Sequence, residues 1–416
     1  MAEIWWVNHY AVTPDMPGGS RHYDMGSELA SRGHHVRVFA TDVSALARHR
    51  RKLLDGRLYA VEHHGPLDFV WVRSSEFKAN NWRRLVNMLS FAQNLRRVGA
   101  ALAKEEPPDL VIGSSPDLFA AASAEAVARS TRARFVLELR DLLPQAMVDT
   151  GLVSERHPLV RIMRRLERRL YRAAEHTITL ASGASRYLET RGLPSDRITW
   201  IPNGVHLGSF TTTIAREQAR AKYGFSRFTA VYTGAHGPNN SLDTIVQAAA
   251  RMPEDPVEFV LVGDGPAKRG VRDLASSLGL GNMRFLDAVP KSEMPNLLTA
   301  ADAGIITLLD TATFGFGVSP NKLFDYMASR LPVVCAVPGD MAALVREAGA
   351  GVTAPAQNPE ALARAVRELS ALPETDRATM GDCGRAFVAE RFRRESLAQT
   401  LDAVLRGVLA QKPPRR

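Results

Sequence analysis

Short apolar runs alternate with longer amphipathic segments along almost the whole chain. Runs such as EIWWV, DLVIGS and RFVLELR in the first half, and FTAVYTG, VEFVLVG and AGIITLL in the second, are rich in Val, Ile and Leu. Continuous apolar runs are typical of strands in parallel sheets, which are buried on both faces. Repeated strand–helix units predict the α/β class, and a chain of 416 residues has enough of them for two doubly wound sheets.

The predicted boundary between the two sheets is the stretch ITWIPNGVHLGSF, at 198–210, where Pro, Asn and Gly form a turn signal after a short strand. A fresh strand starts at Phe228. We predict an N-terminal Rossmann-like domain over 1–202 and a C-terminal one over 203–393. An amphipathic helix at about 394–410 follows the second strand–helix set, and we expect it to pack back on the first domain.

The composition predicts a soluble cytoplasmic protein. Hydrophobic residues make up 45% and charged residues 23% of the chain, and no run approaches the roughly 18 apolar residues that span a bilayer. Cys335 and Cys383 have no metal-ligand spacing, and two isolated cysteines are typical of a reducing compartment. We expect neither a bound metal nor another cofactor.

The net charge of +9 comes partly from basic stretches in the first half, at 48–54, 81–104 and 156–172. The last has seven arginines and one acid, Glu167, around an apolar stripe at helical spacing. We expect the stripe to pack on the core. We expect the clustered arginines at 161–172 and at 48–51 to contact an anionic membrane surface. Nucleic acid is not an expected partner, because no nucleic-acid-binding signature accompanies the charge. The stripe consists of Leu159, Ile162, Met163, Leu166 and Leu170.

The stretch GVSPNKLFDYMA predicts a helix with a cation in its first turn. Ser319 is the expected N-cap, Pro320 the first helical residue and Lys322 the third. A helix N-terminus carries partial positive charge, so a lysine is unexpected there. Either Lys322 forms an exposed ion pair with Asp325, or Lys322 and the helix N-terminus together bind an external phosphate.

Other loops at the predicted carboxyl ends of strands carry glycines or charges. Glycines before a helix allow a ligand to approach the backbone, although each loop alone could be an ordinary turn. Arg140 and Asp141 follow a strand directly and could instead form a buried structural ion pair. Several glycine-containing loops, each before a helix and all on one side of the two sheets, favour phosphate binding more strongly than any one of them does alone. The remaining positions are Gly18, Gly19, Gly234, His236, Gly237, Gly263 and Gly265.

These motifs together resemble family 4 of the retaining glycosyltransferases, which have the GT-B fold. The likeness rests on PGGSRHYDMGSELASRGHHV, on IPNGV, on LVGDGPAKRGVRDLASSLGLGNMRFLDAVPKSEMPNLLTAADAGI and on SPNKLFDYMASRLPVV. The form SPNKLFDYMA resembles the subgroup that builds surface polysaccharides with amino sugars, of the N-acetyl-fucosamine transferase type. The resemblance implies two Rossmann-like domains that face each other across a cleft.

The resemblance also implies roles for individual residues. Asp325 matches the acid that holds the donor ribose, and Arg140 and Asp141 stand where many relatives have an active-site histidine. Glycines 18 and 19 match a loop that faces the donor phosphates, and glycines 263 and 265 a loop near the base. The predicted catalytic residues are Arg140, Asp141, Lys322 and Asp325. The predicted donor-binding residues are Gly18, Gly19, Gly234, His236, Gly237, Gly263, Gly265, Ser319, Asn321, Lys322, Leu323 and Asp325.

Three positions depart from the family pattern. The first acid of the paired-acid motif is replaced by Gly317, and the usual arginine and lysine after the second domain's first strand are replaced by Ala235 and Asn240. Two of the family's diphosphate-binding cations are therefore absent. We expect Lys322, with His236 or Arg140, to replace them.

The predicted function is retaining transfer of a sugar from a nucleotide-sugar donor, UDP-linked, to a lipid-linked saccharide acceptor at the inner face of the cytoplasmic membrane. No enzymic nucleophile is needed, because the acceptor hydroxyl attacks the face from which the diphosphate leaves. Two alternatives stay open: a sugar-nucleotide epimerase of the same fold, and a non-catalytic scaffold subunit. The donor sugar, the acceptor glycan and the linkage are not predicted.

Overall fold

A computed structural model of the protein describes residues 1–16, 18–43, 52, 55–65, 67–77 and 82–411. The chain divides into two compact units. The first consists of Met1–Pro202 with the C-terminal segment from Arg394, and the second of Asn203–Arg393. None of the helices in these described residues has the length and apolar character that crossing a membrane requires.

The first unit contains an 8-stranded sheet in the order β3-β4-β2-β1-β5-β6-β7-β8. Neighbouring strands are parallel except β3 and β4, which form an antiparallel pair. The strands are β1 Glu3–Val7, β2 His35–Thr41, β3 Tyr59–His64, β4 Leu67–Val72, β5 Leu110–Ser114, β6 Arg134–Leu139, β7 His176–Thr179 and β8 Ile198–Trp200. The helices are α1 Arg21–Ser31, α2 Trp82–Leu102, α3 Leu118–Thr131, α4 Gln145–Asp149, α5 Pro158–Ala173 and α6 Ala184–Thr190, with α16 Arg394–Ala410 at the end of the chain.

The antiparallel edge strand β3 differs from the purely parallel sheet that the sequence predicts. Its sequence YAVEHH has no continuous Val/Ile/Leu run, because it lies at the sheet edge and is partly exposed. Gly65, at φ +62°, lies in the short connection that returns the chain into β4.

The C-terminal helix α16 packs on α1 of the first unit. Its apolar face joins the core of β1, β2 and α1 through residues such as Leu401 and Leu405, both fully buried. Polar contacts fix the same position: His34 Nε2 lies 2.8 Å from Asp402 Oδ1, and Arg394 pairs with Asp24.

The arginine-rich helix α5 buries the predicted stripe only in part: Met163 and Leu170 are buried, and Leu159 and Leu166 are half-buried. Ile162 is 46% exposed, whereas the only acid, Glu167, is buried. Glu167 accepts hydrogen bonds from the hydroxyls of Tyr171 and Tyr187, and Arg164 pairs with it. A helical period fits several neighbouring stripes, and here the contact of Glu167 with Tyr187 of α6 turns the acid inward. The buried residues are Val160, Met163, Glu167, Leu170 and Tyr171.

The second unit contains a 6-stranded, all-parallel sheet in the order β11-β10-β9-β12-β13-β14. From β9 the chain adds β10 and β11 on one side, and then adds β12, β13 and β14 on the other side of β9. The carboxyl ends of β9 and β12 therefore form the topological switch point, where ligands bind in such sheets. The strands are β9 Phe228–Thr233, β10 Val257–Val262, β11 Met283–Leu286, β12 Ala303–Thr307, β13 Val333–Ala336 and β14 Gly351–Thr353. The helices are α7 Arg216–Tyr223, α8 Leu242–Ala249, α9 Lys268–Ser277, α10 Met294–Ala300, α11 Ala312–Gly315, α12 Asn321–Ala328, α13 Asp340–Glu347, α14 Pro359–Ala371 and α15 Glu374–Arg391.

Candidate active site

Lys322 extends from α12 to the loop that follows β9, at the switch point of the second sheet. Its Nζ donates to the Tyr232 hydroxyl at 2.7 Å and to Asn240 Oδ1 at 3.4 Å. The amine also lies 3.9 Å from the centroid of the Tyr232 ring. Gly234 is adjacent, since a Cβ built on it would lie 3.7 Å from Lys322 Cε. The structure therefore brings Lys322 together with the glycine loop after β9.

The electrostatic environment of Lys322 disfavours its charge. Burial lowers the pKa of the Lys322 amine to about 7, and the negative charge of Asp325 offsets only part of that effect. Burial also raises the pKa of Tyr232, so the hydroxyl that accepts from the amine is neutral. A bound anion beside the amine would favour its protonated form.

The predicted cap of α12 is wrong. The helix begins at Asn321 and Pro320 occupies the cap position, so Lys322 is the second helical residue and not the third. Ser319 makes no cap; its Oγ accepts from the backbone N–H of Asn203 at 2.9 Å. The Ser319 hydroxyl, which local propensity predicts to cap the helix, is thus hydrogen-bonded to Asn203, 116 residues away in sequence.

The other predicted residues of α12 have different surroundings. Leu323 is 1% exposed and its side chain belongs to the core. Its amide donates to the Pro320 carbonyl at 3.2 Å. Asn321 and Asp325 are half-buried and stand one helical turn apart, on the same side of α12.

His236 and the glycines after β10 form a close backbone contact between two loops. The His236 amide donates to the Asp264 carbonyl at 2.8 Å, and a Cβ on Gly265 would lie 2.5 Å from the His236 carbonyl oxygen. A Cβ on Gly263 would lie 1.9 Å from the Gly234 carbonyl oxygen. Both glycines have positive φ, at +145° and +154°, so side chains are excluded at 263 and 265.

The His236 imidazole is neutral and fully buried. Burial, together with the nearby charge of Lys268, lowers its pKa to about 4, and the charge of Asp264 offsets only part of that effect. Neither ring nitrogen has a hydrogen-bond partner among the described residues. Gly237 follows and leads into the turn at Pro238–Asn240 that begins the approach to α8.

In the first unit, Arg140 and Asp141 follow β6 directly. Their backbone amides donate to the Ser115 hydroxyl at 2.8 and 3.2 Å, which fixes the loop against the end of β5. Asp141 is exposed and Arg140 half-buried, so they do not form the buried ion pair that the sequence left open. Gly18, at φ +135°, and Gly19 precede α1 after the adjacent strand β1.

A buried charge network at the same edge escaped the sequence analysis. Arg21 Nε donates to Glu138 Oε1 at 2.9 Å, and the guanidinium also bonds the carbonyls of Ile201 and Pro202. Burial alone would raise the pKa of Glu138, but Arg21 and His22 hold it well below its usual range. The available signal was the acid inside the apolar run RFVLEL, because a buried strand carries a carboxylate only when it is paired.

Three side chains of the types that ligate metals lie together at the opposite edge of the first sheet. Ligand atoms of Glu3, His35 and Glu106 come within 4.8 Å of one another. These groups already pair among themselves and with a cation: His35 Nδ1 lies 2.5 Å from Glu3 Oε2, and Arg37 pairs with both carboxylates. A metal ion would have to displace Arg37 from this network.

Comparison with known proteins identifies both units. Residues 18–204 match the family model described as a glycosyl transferase 4-like domain, and residues 227–371 match that of the glycosyl transferases group 1. The chain is 23% identical over 347 residues to WcaI of Escherichia coli K12, named a glycosyl transferase of colanic acid biosynthesis, covering 78% of this chain and 80% of the relative.

Solved structures of glycosyltransferases share the fold over nearly the whole chain. Sucrose-phosphate synthase of Thermosynechococcus elongatus matches with a TM-score of 0.76 and 18% identity, covering 99% of this chain and 100% of that one. HepE of Anabaena, solved with UDP and glucose, matches with a TM-score of 0.73 and 18% identity over 98% and 100%. With both halves matched by glycosyltransferase models, the chain belongs to the family 4-like glycosyltransferases of the GT-B fold.

Proposed function

We propose that the protein transfers a glycosyl group, with retention, from a UDP-linked sugar to a saccharide on a membrane lipid during surface polysaccharide synthesis. The observation that carries the proposal is the position of the Lys322 amine at the switch point of the second sheet. There it contacts the neutral groups of Tyr232 and Asn240 and lies beside the Gly234 backbone. A diphosphate is the ligand chemistry that such a cation serves best.

Lys322 is proposed to replace the two family cations that this chain lacks. Its Nζ reaches Asn240 Oδ1, and Asn240 Nδ2 in turn donates to the Ala235 carbonyl at 3.0 Å. The amine thus touches the very loop in which relatives carry an arginine and a lysine. Neutralising the leaving diphosphate is the largest contribution a protein makes to such a displacement.

The remaining assignments follow the predicted roles. Asp325 holds the donor ribose, and Arg140 and Asp141 bind the reacting sugar or the acceptor. The acceptor hydroxyl attacks the sugar on the face from which the diphosphate leaves, so the anomeric configuration is retained without an enzymic nucleophile. A UDP donor is supported by HepE, which is solved with UDP and glucose, and a polysaccharide product by the name of WcaI.

Calorimetric titration of two variants tests the donor assignment. Lys322→Met should weaken UDP-glucose by about 10- to 150-fold, the equivalent of about 1.5–3 kcal/mol for a charged hydrogen bond. It should leave uridine unchanged, because uridine has no phosphate. Asp325→Asn should weaken both ligands equally, because both contain the ribose. Lys222→Met removes an exposed lysine paired with Glu293 and is the matched control.

If Lys322→Met weakens the affinity for UDP-glucose and for uridine equally, or weakens neither, the diphosphate role is disproved. Product analysis then separates the three candidate activities. A glycosylated acceptor with retained configuration supports the transferase, whereas an epimerised nucleotide sugar formed without acceptor supports an epimerase. Tight donor binding without turnover supports a scaffold subunit.

The membrane-bound acceptor requires a surface that contacts the bilayer, and we propose the layer of α2, α3 and α5. Helix α3 contacts both α2 and α5. Three large apolar side chains of α2 are exposed: Trp82 at 67%, Val86 at 41% and Leu89 at 45%. On α5, Ile162 is exposed among arginines, which suits insertion between anionic headgroups.

Four exposed arginines of α5 provide the test, namely Arg161, Arg165, Arg168 and Arg172. Arg164 is left intact because it pairs with the buried Glu167. Residues 48–51, also predicted to contact the membrane, lie outside the described residues. Each basic residue near an anionic leaflet contributes about 1 kcal/mol, and salt screens it.

The wild type should co-sediment with anionic vesicles, not with neutral ones, and high salt should release it. Changing the four arginines to Gln should abolish this binding while UDP-glucose affinity is kept. A control with the same charge change in the second unit, at Arg227, Arg269, Arg272 and Arg364, should still bind. Binding to neutral vesicles equal to that on anionic ones would remove the electrostatic proposal.

A further inference from the structure

The second unit contains a cavity of about 510 Å³ at the edge of its sheet opposite Lys322. Two of its lining residues, Asp302 and Pro332, immediately precede the strands β12 and β13. The cavity is therefore at the amino-terminal edge of the sheet, whereas Gly234 and Lys322 are at the carboxyl edge. Because the proposed donor site lies at the carboxyl edge, donor binding does not account for this cavity.

One wall of the cavity is a single face of α15. Lining residues recur along this helix at a spacing of three or four, from Glu374 through Arg377 and Ala378 to Asp382 and Arg385. The facing wall is the end of α12 with its turn into β13. Gly381 allows the two to touch, since a Cβ there would lie 2.1 Å from the Arg330 carbonyl oxygen.

The charges that line the cavity leave an excess of cation. Asp302 is paired with Arg216 and Asp382 with Arg330, each at 2.5 Å. Glu374, the third acid, is exposed in the first turn of α15, where the helix dipole favours it. In the part of the chain that the structure describes, Arg377 and Arg385 form no ion pair.

The known contacts of Arg377 and Arg385 are with neutral groups. Arg377 donates to the Leu372 carbonyl and lies over the ring of Phe228, and Arg385 donates to the Ala328 carbonyl at the end of α12. These contacts could be their whole purpose, because cations stabilise helix carboxyl ends. Each guanidinium has five N–H donors, however, and two such groups lining one cavity are suited to a phosphate.

The rest of the lining is rich in hydroxyls. Thr211, Thr212 and Thr299 line the cavity with Ser329, whose Oγ is buried without a hydrogen-bond partner among the described residues. We propose that this cavity is a second binding site, separate from the donor site, for a phosphate ester of a small polyhydroxylated molecule, of the sugar phosphate class. Arg377 and Arg385 bind the phosphate and the hydroxyl groups bind the sugar. This inference does not depend on the proposed transferase activity.

Titration of the full chain with ribose 5-phosphate, inorganic phosphate and ribose tests the proposal. Ribose 5-phosphate should bind and raise the melting temperature, and ribose should not. The main variant is Ala378→Glu, which adds a carboxylate to the cavity wall at an exposed helical position. It should weaken ribose 5-phosphate at least about tenfold. Its isosteric neutral match, Ala378→Gln, should bind like the wild type.

Two further measurements locate the binding. Lys322→Met should keep ribose 5-phosphate affinity, and Ala378→Glu should keep UDP-glucose affinity. Failure of the wild type to bind ribose 5-phosphate at millimolar concentration would overturn the proposal. So would equal binding by Ala378→Glu, or loss of binding in Lys322→Met. Inorganic phosphate that binds as tightly as ribose 5-phosphate would refute the role of the hydroxyl groups.

Discussion

Donor affinity should depend on pH through the protonation of Lys322. In the ligand-free protein, burial lowers the pKa of this amine from 10.5 to about 7. A diphosphate beside the amine favours the charged form, so binding takes up a proton wherever the free lysine is neutral. UDP-glucose suits the measurement because its diphosphate is esterified at both ends and keeps its charge near neutrality. Its affinity should therefore fall as pH rises above about 7.

The size of the effect follows from the pKa. With a pKa of about 7, the protonated fraction of Lys322 falls about 25-fold between about pH 6.5 and about pH 8.5, and this factor is the upper bound on the rise of the dissociation constant. Calorimetry in buffers of different ionisation enthalpy should show uptake of a fraction of a proton on binding at the higher pH. His236 does not titrate in this range, because its pKa is about 4.

Two variants separate this mechanism from a general effect of pH. Lys322→Arg carries a charge that does not titrate, so its UDP-glucose affinity should be flat over the same range. Lys322→Met should be weak and equally flat. A wild-type affinity that changes less than twofold, or a slope that persists in Lys322→Met, would refute the reasoning that Lys322 is the titrating group.

The remaining predictions concern stability, measured by urea unfolding. The pKa of Lys322 is lower in the folded than in the unfolded chain, so the unfolded chain binds more protons between about pH 7 and 10.5. The ligand-free wild type should therefore gain stability as pH rises through this window, and Lys322→Met should lack this gain. Gly317→Glu, which restores the family's first acid, should lower the free energy of unfolding by about 1–3 kcal/mol, because φ is +96° at this position. The control Gly315→Glu should change it little, because Gly315 has no positive φ and a Cβ there would meet no neighbouring atom within 4 Å. Glu138→Gln should cost about 3–5 kcal/mol by leaving Arg21 buried and unpaired, with the exposed Glu189→Gln as control. The Glu138 contribution should be present above pH 4.5 and be lost as pH falls below it.

Elements with a strong local signature were predictable from the sequence. The buried parallel strands carry continuous Val/Ile/Leu runs, and each predicted run contains a strand of the structure. Strand β3 was missed because an edge strand does not need such a run. The stripe of α5 was predicted only in part, because Glu167 turns inward to accept from Tyr187, a residue of α6 that the local pattern of α5 does not reveal.

The candidate site was predictable to the extent that its residues conflict with local rules. Lys322 was identified because a cation in the first turn opposes the helix dipole, and the structure places it beside the predicted glycine loop. The N-cap at Ser319 followed the same local rules and was wrong, because Asn203 takes its hydroxyl. Local rules thus identify a residue that conflicts with them, such as Lys322. They are less reliable for a residue such as Ser319, whose side chain has a competing partner elsewhere in the fold.

In the proposed diphosphate site, the position of Lys322 on a helix would let one lysine serve in place of the two loop cations that the family resemblance implies. Helix α12 is tied to the sheet by Tyr326, whose hydroxyl accepts from the Thr233 amide at 2.8 Å and whose ring packs over Gly304. A Cβ at Gly304 would lie 2.4 Å from that ring, so the absence of a side chain there sets how closely α12 approaches β12. A cation held by a fixed helix loses little freedom on binding, in contrast to a long side chain on a loop. Holding the amine in this way also buries it, and the burial lowers its pKa to about 7. A donor diphosphate bound beside the amine, as proposed, would therefore determine whether the amine is charged.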